Sequence, residues 1–456
     1  MTAATRLVDF DPSHLRDQTY ATRRRRGLVD LGTLLSLLIV TLYLLPSALV
    51  LPQLTALGRP ALMIGLLLAV VWAVTKAHPQ LAMRGPQPIR WAVGFWLAAL
   101  LLSYAAGQDR GLTELEANST DRQLIYTAVF CGVALACADG IPNRRRFDDL
   151  VRVLAASAAI VAVIGIVQAV LGYDITQFIQ LPGFELHHDL VGLQGRAGFD
   201  RVASTTGHYI ELSAVMAATL PFAIHLTRFG GTPLARQLGL CCALTIAAVI
   251  PLTLSRTGLL AVFAMGVTML PAWPWRTRFN VLAAGSLLLA FAILARPGLV
   301  GTIASLFIGL GEDPSIQGRT DDYEIVSEFI AERPWLGRGP GTFVPELYLI
   351  LDNQWLAEMI QGGVLGVAAL AGIHLTAIAL CVIVLRRSTT AADRHLAACL
   401  LSVQVVAVIG SATFDSFAFT TFATTIALGT GMAGALWRLT HPSRQVRTSG
   451  ARLGRT

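Results

Sequence analysis

The sequence is poor in charge: only 14% of its 456 residues are Asp, Glu, Lys or Arg, against about 25% in ordinary soluble domains. Hydrophobic residues make up 54% of the chain. So little polar surface cannot coat a water-soluble globule, which excludes a cytosolic enzyme, a collagen and a disordered chain. The composition therefore predicts a polytopic membrane protein.

The chain also lacks the cysteine patterns of a disulfide framework or a metal site. Its six cysteines fall within apolar runs, without a C-x-x-C pair or metal-ligand spacing. We expect them to be small apolar fillers, and we expect no metal and no cofactor. A G-x-G-x-G run at 337–341 has neither a preceding strand nor a following Lys-Ser/Thr pair, so a nucleotide loop is not indicated. Its glycines should instead let the backbone approach a ligand or another helix closely.

Long apolar runs are what the sequence does contain. A hydrocarbon core about 30 Å thick needs about 20 apolar residues per helix, and twelve runs meet that need: 28–51, 61–77, 89–107, 122–138, 149–171, 209–226, 237–254, 257–273, 279–296, 357–385, 396–412 and 419–438. Because lipid cannot satisfy free backbone groups, and because the runs show no two-residue alternation, they must be helices. The predicted fold class is all-α, with a transmembrane domain over 28–438 between tails 1–27 and 439–456.

Basic residues cluster between alternate runs, as in Arg144-Arg145-Arg146, Arg386-Arg387 and the four arginines at 23–26. Because basic residues near span ends are retained in the cytoplasm, both termini are predicted to be cytoplasmic. We interpret these clusters as anchors to anionic lipid and expect no nucleic acid among the partners. Most acidic residues then fall on the outer side.

Two outer connections, 172–208 and 297–353, are much longer than connectivity requires, which is typical of functional loops. The second contains a predicted helix at 321–332, with Asp321 and Glu324 spaced as a capping box and Pro334 ending it. Both connections carry apolar residues, so we expect folded material on the outer face.

Four arginines lie in or beside these outer segments: Arg201, Arg256, Arg319 and Arg338. A guanidinium stays protonated and offers five donors that match phosphate oxygens in pairs. Arg256 stands in a tight turn at the membrane interface, where it could also simply snorkel to lipid headgroups. A cluster of the four would suit the diphosphate of a lipid carrier.

Acidic and imidazole groups stand where the outer loops enter the membrane. Glu211 lies inside the first turns of the sixth span, where a carboxylate must be paired, hydrated or protonated, and an arginine is the partner that costs least. His208 just before it could be a general base or a helix cap. Asp352 and Asn353 stand where the second loop ends, so they could cap a helix starting at Gln354, take part in catalysis, or both.

The order of short motifs along the chain resembles the O-antigen ligase and O-antigen polymerase family of bacterial envelopes, most strongly over 195–370. The motifs are R-x-x-S-T-x-G-H from residue 201, S-R-T-G from 255, G-R-T-x-x-Y from 318, P-W-L-G-R-G-P-G from 334 and D-N-Q-W-L-x-x-x-x-x-G-G-V-L-G from 352. Phe414-Asp415-Ser416 before the last span is also similar to this family. Each motif is short, and their ordered combination carries the resemblance.

The resemblance implies a glycosyltransferase of the class C type on the outer face of the bacterial inner membrane. Such an enzyme moves a glycan from a polyprenyl-diphosphate carrier to an acceptor, without a metal or a nucleotide sugar. Arg201, Arg256 and Arg319 would hold the diphosphate, with Arg338 as a fourth candidate. Many members carry a histidine as general base where this chain has Asp352, which leaves Asp352 or His208 as the base. Supporting roles would fall to other residues of these motifs, namely Glu211, Tyr323, Asn353 and Asp415.

Two other classes of protein compete with this interpretation. A secondary transporter or a flippase of lipid-linked glycans would also have about twelve helices. Transporters, however, usually carry ionisable residues near the bilayer midplane and show two related halves, and the sequence shows neither feature. A purely structural subunit would leave the outer arginines without a purpose. Whether the acceptor makes the protein a polymerase or a ligase stays open.

Overall fold

The computed structural model describes residues 30–77, 86–187, 194–196, 199–295, 298, 301–302, 304, 323 and 325–441. The basic tail 1–27, Arg319, the Asp321 and Glu324 pair and residues beyond 441 lie outside the described residues. Most of the described chain is helical. This confirms a helical, polytopic fold.

Twelve long helices follow one another in the described part of the chain. They are α1 Leu31–Leu44, α2 Pro60–Ala77, α3 Pro88–Gly107, α4 Glu114–Gly140, α5 Arg144–Leu171, α6 Tyr209–Phe229, α7 Pro233–Leu252, α8 Arg256–Met269, α9 Trp275–Ala295, α10 Gln354–Arg387, α11 Ala391–Ser411 and α12 Thr420–Leu439. Each coincides with one of the predicted apolar runs.

Eight of these helices, α2 to α7 with α10 and α11, are long and apolar enough to cross a membrane by length and composition. Helix α1 has only 14 residues, or about 21 Å at 1.5 Å per residue. It is shorter than its predicted run because the residue before a proline avoids the helical region, and Pro46 follows Leu45. The count of twelve spans stays a prediction.

Short strands occur only in connections within the described residues. Strand β1 (Leu49–Val50) pairs antiparallel with β2 (Glu185–Leu186), and β3 (Gln194–Arg196) pairs with β4 (Phe199–Arg201). The first pair ties the connection after α1 to the first long loop. These strands add local order without changing the helical class.

The described parts of the connections predicted to be outer lie at one end of the bundle, called here the loop end: 45–59, 108–113, 172–187, 194–196, 199–208, 253–255, 334–353 and 412–419. The Ser47 amide donates to the Thr205 carbonyl at 2.8 Å. The Arg110 Nε donates to the Arg338 carbonyl at 3.2 Å. The two long loops therefore share one end of the molecule with the shorter connections, as the hydropathy pattern predicts.

The opposite end collects cations that are matched by carboxylates and carbonyls. Asp139 accepts from Arg90 and from Lys76, each at 2.9 Å. Arg146 pairs with Asp30 at 2.8 Å. These three ion pairs join neighbouring helices at this end, so they serve the structure.

Candidate functional site

The turn that leads into α6 is strained and held from several sides. Ser204 has a φ of 54°, a left-handed conformation that costs a non-glycine residue about 1–3 kcal/mol. Its amide donates to Gln168 Oε1 and its hydroxyl to the Val161 carbonyl, both at 2.7 Å. Thr205 donates to the Tyr43 carbonyl at 2.6 Å. Helices α1 and α5 thus fix the path of the chain between Arg201 and His208.

Arg201 and His208 belong to one row of stacked side chains on this turn. The Arg201 guanidinium lies over the Tyr209 ring at 4.2 Å from its centre. The His208 ring lies 4.0 Å from the Tyr209 ring and 5.6 Å from the Phe419 ring. The row joins the first long loop to the 412–419 connection, so the two segments form one surface.

His208 is both a cap and a neutral imidazole. Its Nδ1 accepts from the Ile210 amide at 3.3 Å at the start of α6, which confirms the predicted cap. Burial, and then the charge of Arg201, lower the pKa of His208 to about 4, although Asp352 acts in the opposite direction. With the Nδ1 lone pair engaged, the neutral ring carries its proton on Nε2. His208 therefore offers a donor, and not a basic lone pair, at its other edge.

Glu211 is buried, its hydrogen bonds go to backbone amides, and it interacts electrostatically with Arg59. Its Oε1 accepts from the Thr421 amide at 2.7 Å and the Phe422 amide at 3.1 Å, and its Oε2 accepts from the Gly207 amide at 3.0 Å. The first turn of α12 has free amides and a partial positive charge, so it is a suitable partner for a carboxylate. Glu211 thereby locks α6 to α12 beneath the row.

Arg256 begins α8, directly after a second strained residue. Leu254 has a φ of 49°, and the Ser255 hydroxyl caps the helix by accepting from the Gly258 amide at 3.3 Å. A side-chain carbon at Gly258 would lie 2.4 Å from Ser213 Cβ. This contact puts the start of α8 against the second turn of α6, on the same end as His208.

Asp352 and Asn353 precede α10, where the sequence left open which residue caps the helix and which takes part in catalysis. The Asn353 side chain accepts from the Trp355 amide at 3.0 Å and the Leu356 amide at 3.2 Å, which makes it the helix cap. Asp352 is half-buried next to it and interacts electrostatically with His208 and with Asp415.

Helix α10 is broken at Gly363, where φ is 62° and ψ is −164°. The backbone groups freed by the break are satisfied by the segment 334–339 of the second loop: Arg338 N donates to Ile360 O at 2.9 Å, Gly339 N to Gln361 O at 3.0 Å, Val364 N to Pro334 O at 2.8 Å and Leu365 N to Trp335 O at 3.2 Å. A side-chain carbon at Gly337 would lie 2.3 Å from the Gln361 carbonyl carbon. The backbone of the G-x-G-x-G run at 337–341 thus crosses α10 at the G-G-V-L-G motif that contains Gly363, and the glycines of both motifs line this crossing.

Arg338 does not belong to the row of stacked side chains that contains Arg201 and His208. It lies in a cluster of side chains that packs the second long loop. Its guanidinium donates to Glu332 at 2.7 Å and to the Tyr348 hydroxyl at 3.1 Å, and it lies 4.8 Å from the centre of the Phe329 ring. Tyr348 in turn donates to Glu116 of α4 at 2.9 Å. Of the other candidates, Tyr323 is exposed on the loop, and Arg319 lies outside the described residues.

Asp415 joins Asp352 from the connection 412–419. The Phe417 amide donates to Gln354 Oε1 at 2.9 Å, which seats this connection on the first turn of α10. Burial, and then the charge of Asp352, raise the pKa of Asp415 to about 6, against a hydrogen bond from the Ala418 amide that lowers it. Asp415 also interacts electrostatically with Glu358 of α10. The sequence interpretation missed Glu358, although a charged residue inside an apolar span is itself a signal.

A second polar cluster lies between α6 and α11. The side chains of His225, His395 and Cys399 place one possible metal ligand each within 4.8 Å of one another. The Trp273 indole, however, donates to His395 Nε2 at 3.1 Å, so neutral His395 carries its proton on Nδ1, directed at His225 Nδ1 3.2 Å away. The cysteine spacing gave no hint of this cluster. Its donors and acceptors form a paired network as they stand.

The structure thus brings Arg201, His208, Asp352 and Asp415 to one part of the loop end. Arg256 begins α8, which packs against α6 at Ser213. Comparison with known proteins shows that residues 241–371 match the family model described as O-antigen ligase. No curated protein matches the chain. The matched region holds Arg256, both sides of the backbone crossing and Asp352. The segment 241–371 is therefore similar to the O-antigen ligase family, as the order of the motifs in the sequence predicted.

Proposed function

We propose that this protein is a membrane glycosyltransferase that moves a glycan from a polyprenyl-diphosphate carrier to an acceptor hydroxyl on the outer face of the inner membrane. The single observation that carries the proposal is the meeting of Arg201, His208 and Asp352 at the loop end, next to the family domain. A permanent cation, a neutral imidazole donor and a carboxylate are the groups that such a transfer needs.

Arg201 and Arg256 are the proposed diphosphate ligands, with Arg319 as a third. Charge builds on the departing diphosphate as the bond between the anomeric carbon and its oxygen breaks. Guanidinium groups fixed in advance stabilise that charge, and each such donor typically contributes a few kcal/mol. In this proposal the arginines take the place of a divalent ion. We assign Arg338 to the scaffold, because Glu332 and Tyr348 already engage its guanidinium.

Asp352 is the proposed general base. The acceptor oxygen attacks the anomeric carbon, its proton passes to the Asp352 carboxylate, and the electron pair of the broken bond leaves with the diphosphate. His208 is less suitable as a base because its Nδ1 accepts from Ile210. Its Nε2 proton is instead available to hydrogen-bond a glycan or phosphate oxygen. A base of this kind contributes about 10²–10⁴-fold to the rate.

Purified protein in lipid vesicles, supplied with a polyprenyl-diphosphate glycan, tests the activity. We expect longer glycan and released carrier, with undiminished turnover in EDTA. A ladder formed without any other acceptor identifies a polymerase, and transfer only to an added core glycolipid identifies a ligase. Substrate counterflow without any glycan product would instead establish the competing transporter or flippase.

Variants of Asp352 and Arg256 test the assigned roles. Asp352→Asn keeps the size of the side chain and leaves the Asn353 cap in place, so we expect turnover to fall about 10²–10⁴-fold with unchanged thermal stability. Asp352→His installs the base that the resemblance leads one to expect and should recover activity. Arg256→Ala should lower turnover about 10²–10³-fold. Normal glycan transfer by Asp352→Asn or Arg256→Ala would refute the corresponding role.

A further inference from the structure

Arg59 is a further arginine of the loop end, and it stands directly before the first residue of α2. Its Nη1 donates to the hydroxyl of Thr420, the first residue of α12. Its Nε is buried and has no hydrogen-bond partner. A guanidinium that only snorkels to lipid headgroups extends away from the protein. This one is instead directed between α2 and α12.

The acidic group that interacts with Arg59 does not use up its donors. Glu211 interacts electrostatically with Arg59, but the Glu211 oxygens accept from the amides of Gly207, Thr421 and Phe422. A guanidinium offers five N–H donors, and a permanent cation at a span end is costly unless an anion joins it. Arg59 therefore keeps both positive charge and a buried donor for a ligand.

A narrow cleft lies next to Arg59, between α2, α3, α4 and α12. Its volume is about 390 Å³ when the part that is open to the outside is included. Two residues bonded to Arg59 line it: Leu62, whose amide donates to the Arg59 carbonyl at 3.0 Å, and Thr420. Thr420 directly follows Phe419, whose ring lies 5.6 Å from the His208 ring. The cleft therefore adjoins the row of stacked side chains.

The walls of the cleft are mainly apolar and include three aromatic rings. The centre of the Trp96 ring lies 5.2 Å from that of Phe130 and 5.8 Å from that of Phe417. Trp96 is only 2% exposed, and its indole Nε1 has no hydrogen-bond partner. A buried indole N–H usually finds a partner, so Trp96 retains a donor for a group that enters the cleft. The C=C bonds of an isoprenoid are weak acceptors for such an N–H.

We propose that Arg59 and this cleft bind the prenyl-phosphate end of the lipid carrier. The guanidinium binds the phosphate that bears the chain, and the cleft takes up the chain next to that phosphate. The inference rests on the proposed function, which supplies the class of ligand. A guanidinium matches phosphate oxygens, and burial of an apolar chain against apolar walls is favourable. Arg201 and Arg256 keep the phosphate that bears the glycan.

Binding of farnesyl diphosphate to the purified protein in neutral detergent tests the inference without any glycan transfer. Arg59→Gln removes the charge, so we expect the calorimetric Kd to rise about 10-fold. Arg59→Lys keeps the charge but not the paired donors, so its Kd should lie between those of wild type and Arg59→Gln. Arg152→Gln is the matched control, because it removes the same charge near the opposite end, where Arg152 pairs with Asp149. Its Kd should equal that of wild type.

A second variant tests the part of the site that takes up the chain. Ala423 lines the cleft from α12, so Ala423→Leu narrows it. We expect this variant to weaken binding of farnesyl diphosphate about 3–10-fold and to leave binding of inorganic pyrophosphate unchanged, because pyrophosphate has no chain. Arg59→Gln should weaken binding of both ligands. Thermal unfolding of each variant without ligand reports any structural role.

The outcomes separate this inference from the function on which it rests. If Arg59→Gln binds farnesyl diphosphate as tightly as wild type, the inference is wrong, and a loss of stability alone would make Arg59 a structural partner of Glu211. Equal weakening of both ligands by Ala423→Leu would overturn the cleft as the position of the chain. If farnesyl diphosphate binds through Arg59 but wild type transfers no glycan to any acceptor, the proposed function fails and the binding site stands.

Discussion

Arg201 and Arg338 are the same residue type at the same end of the molecule, yet their surroundings differ. Arg338 is buried and donates to Glu332 and Tyr348, and its backbone closes the break in α10. Arg201 lies on the Tyr209 ring, next to a neutral histidine that interacts electrostatically with Asp352. From this difference we propose that Arg338 belongs to the scaffold and that Arg201 serves the chemistry.

The largest expected effect is on turnover in Arg201→Ala. Loss of this guanidinium removes stabilisation of the departing diphosphate, which should lower glycan transfer about 10²–10³-fold. The free energy of unfolding should change little, because the turn is held through Ser204 and Thr205. Initial rates and thermal unfolding in detergent measure the two quantities. Arg201→Lys keeps the charge but not the paired donors, so its turnover should lie between that of wild type and that of Arg201→Ala.

Arg338→Ala should show the opposite pattern, with a loss of stability and a smaller loss of turnover. The variant leaves Tyr348 and Glu332 with one partner fewer and removes the cation above Phe329. We expect a loss of about 2 kcal/mol in unfolding free energy. Glu332→Gln is the control, since that carboxylate is 59% exposed and its change should cost little. If Arg338→Ala abolished transfer while its stability stayed normal, the contrast between the two arginines would disappear.

The one expected effect that depends on pH is a gain of stability in Asp415→Asn. The pKa of Asp415 is raised to about 6 in the folded protein, against about 3.9 when unfolded. The folded state thus binds the extra proton, and this contribution to stability is lost as pH rises through about 6. Asparagine removes that loss, so the variant should gain up to about 3 kcal/mol at pH 8. Thermal unfolding at pH 8 and pH 4 measures the difference. An equal change at both pH values would show that the charge of Asp415 is not responsible.

The helices were the most predictable part of this protein, because lipid leaves an apolar run no other regular structure. Positions of single candidates were harder to predict. The role of Asn353 as a helix cap could be predicted from its position directly before an apolar run. The hydrogen-bond partners of Glu211 could not be predicted in this way, because the α12 amides that it accepts from lie about 210 residues away in sequence. Glu358 was hidden inside a run interpreted as wholly apolar, and the break at Gly363 appears only once the second loop packs against α10.

By itself, the sequence determined that this chain forms helices apolar enough to cross a membrane and that its motifs resemble those of O-antigen ligases. Both properties are local: hydropathy acts over about 20 residues, and each motif occupies one segment. Only the tertiary structure decided which arginine lies beside His208, which imidazole nitrogen is engaged, and which glycines admit another backbone. Those outcomes depend on distances between segments far apart in sequence, and packing alone sets such distances.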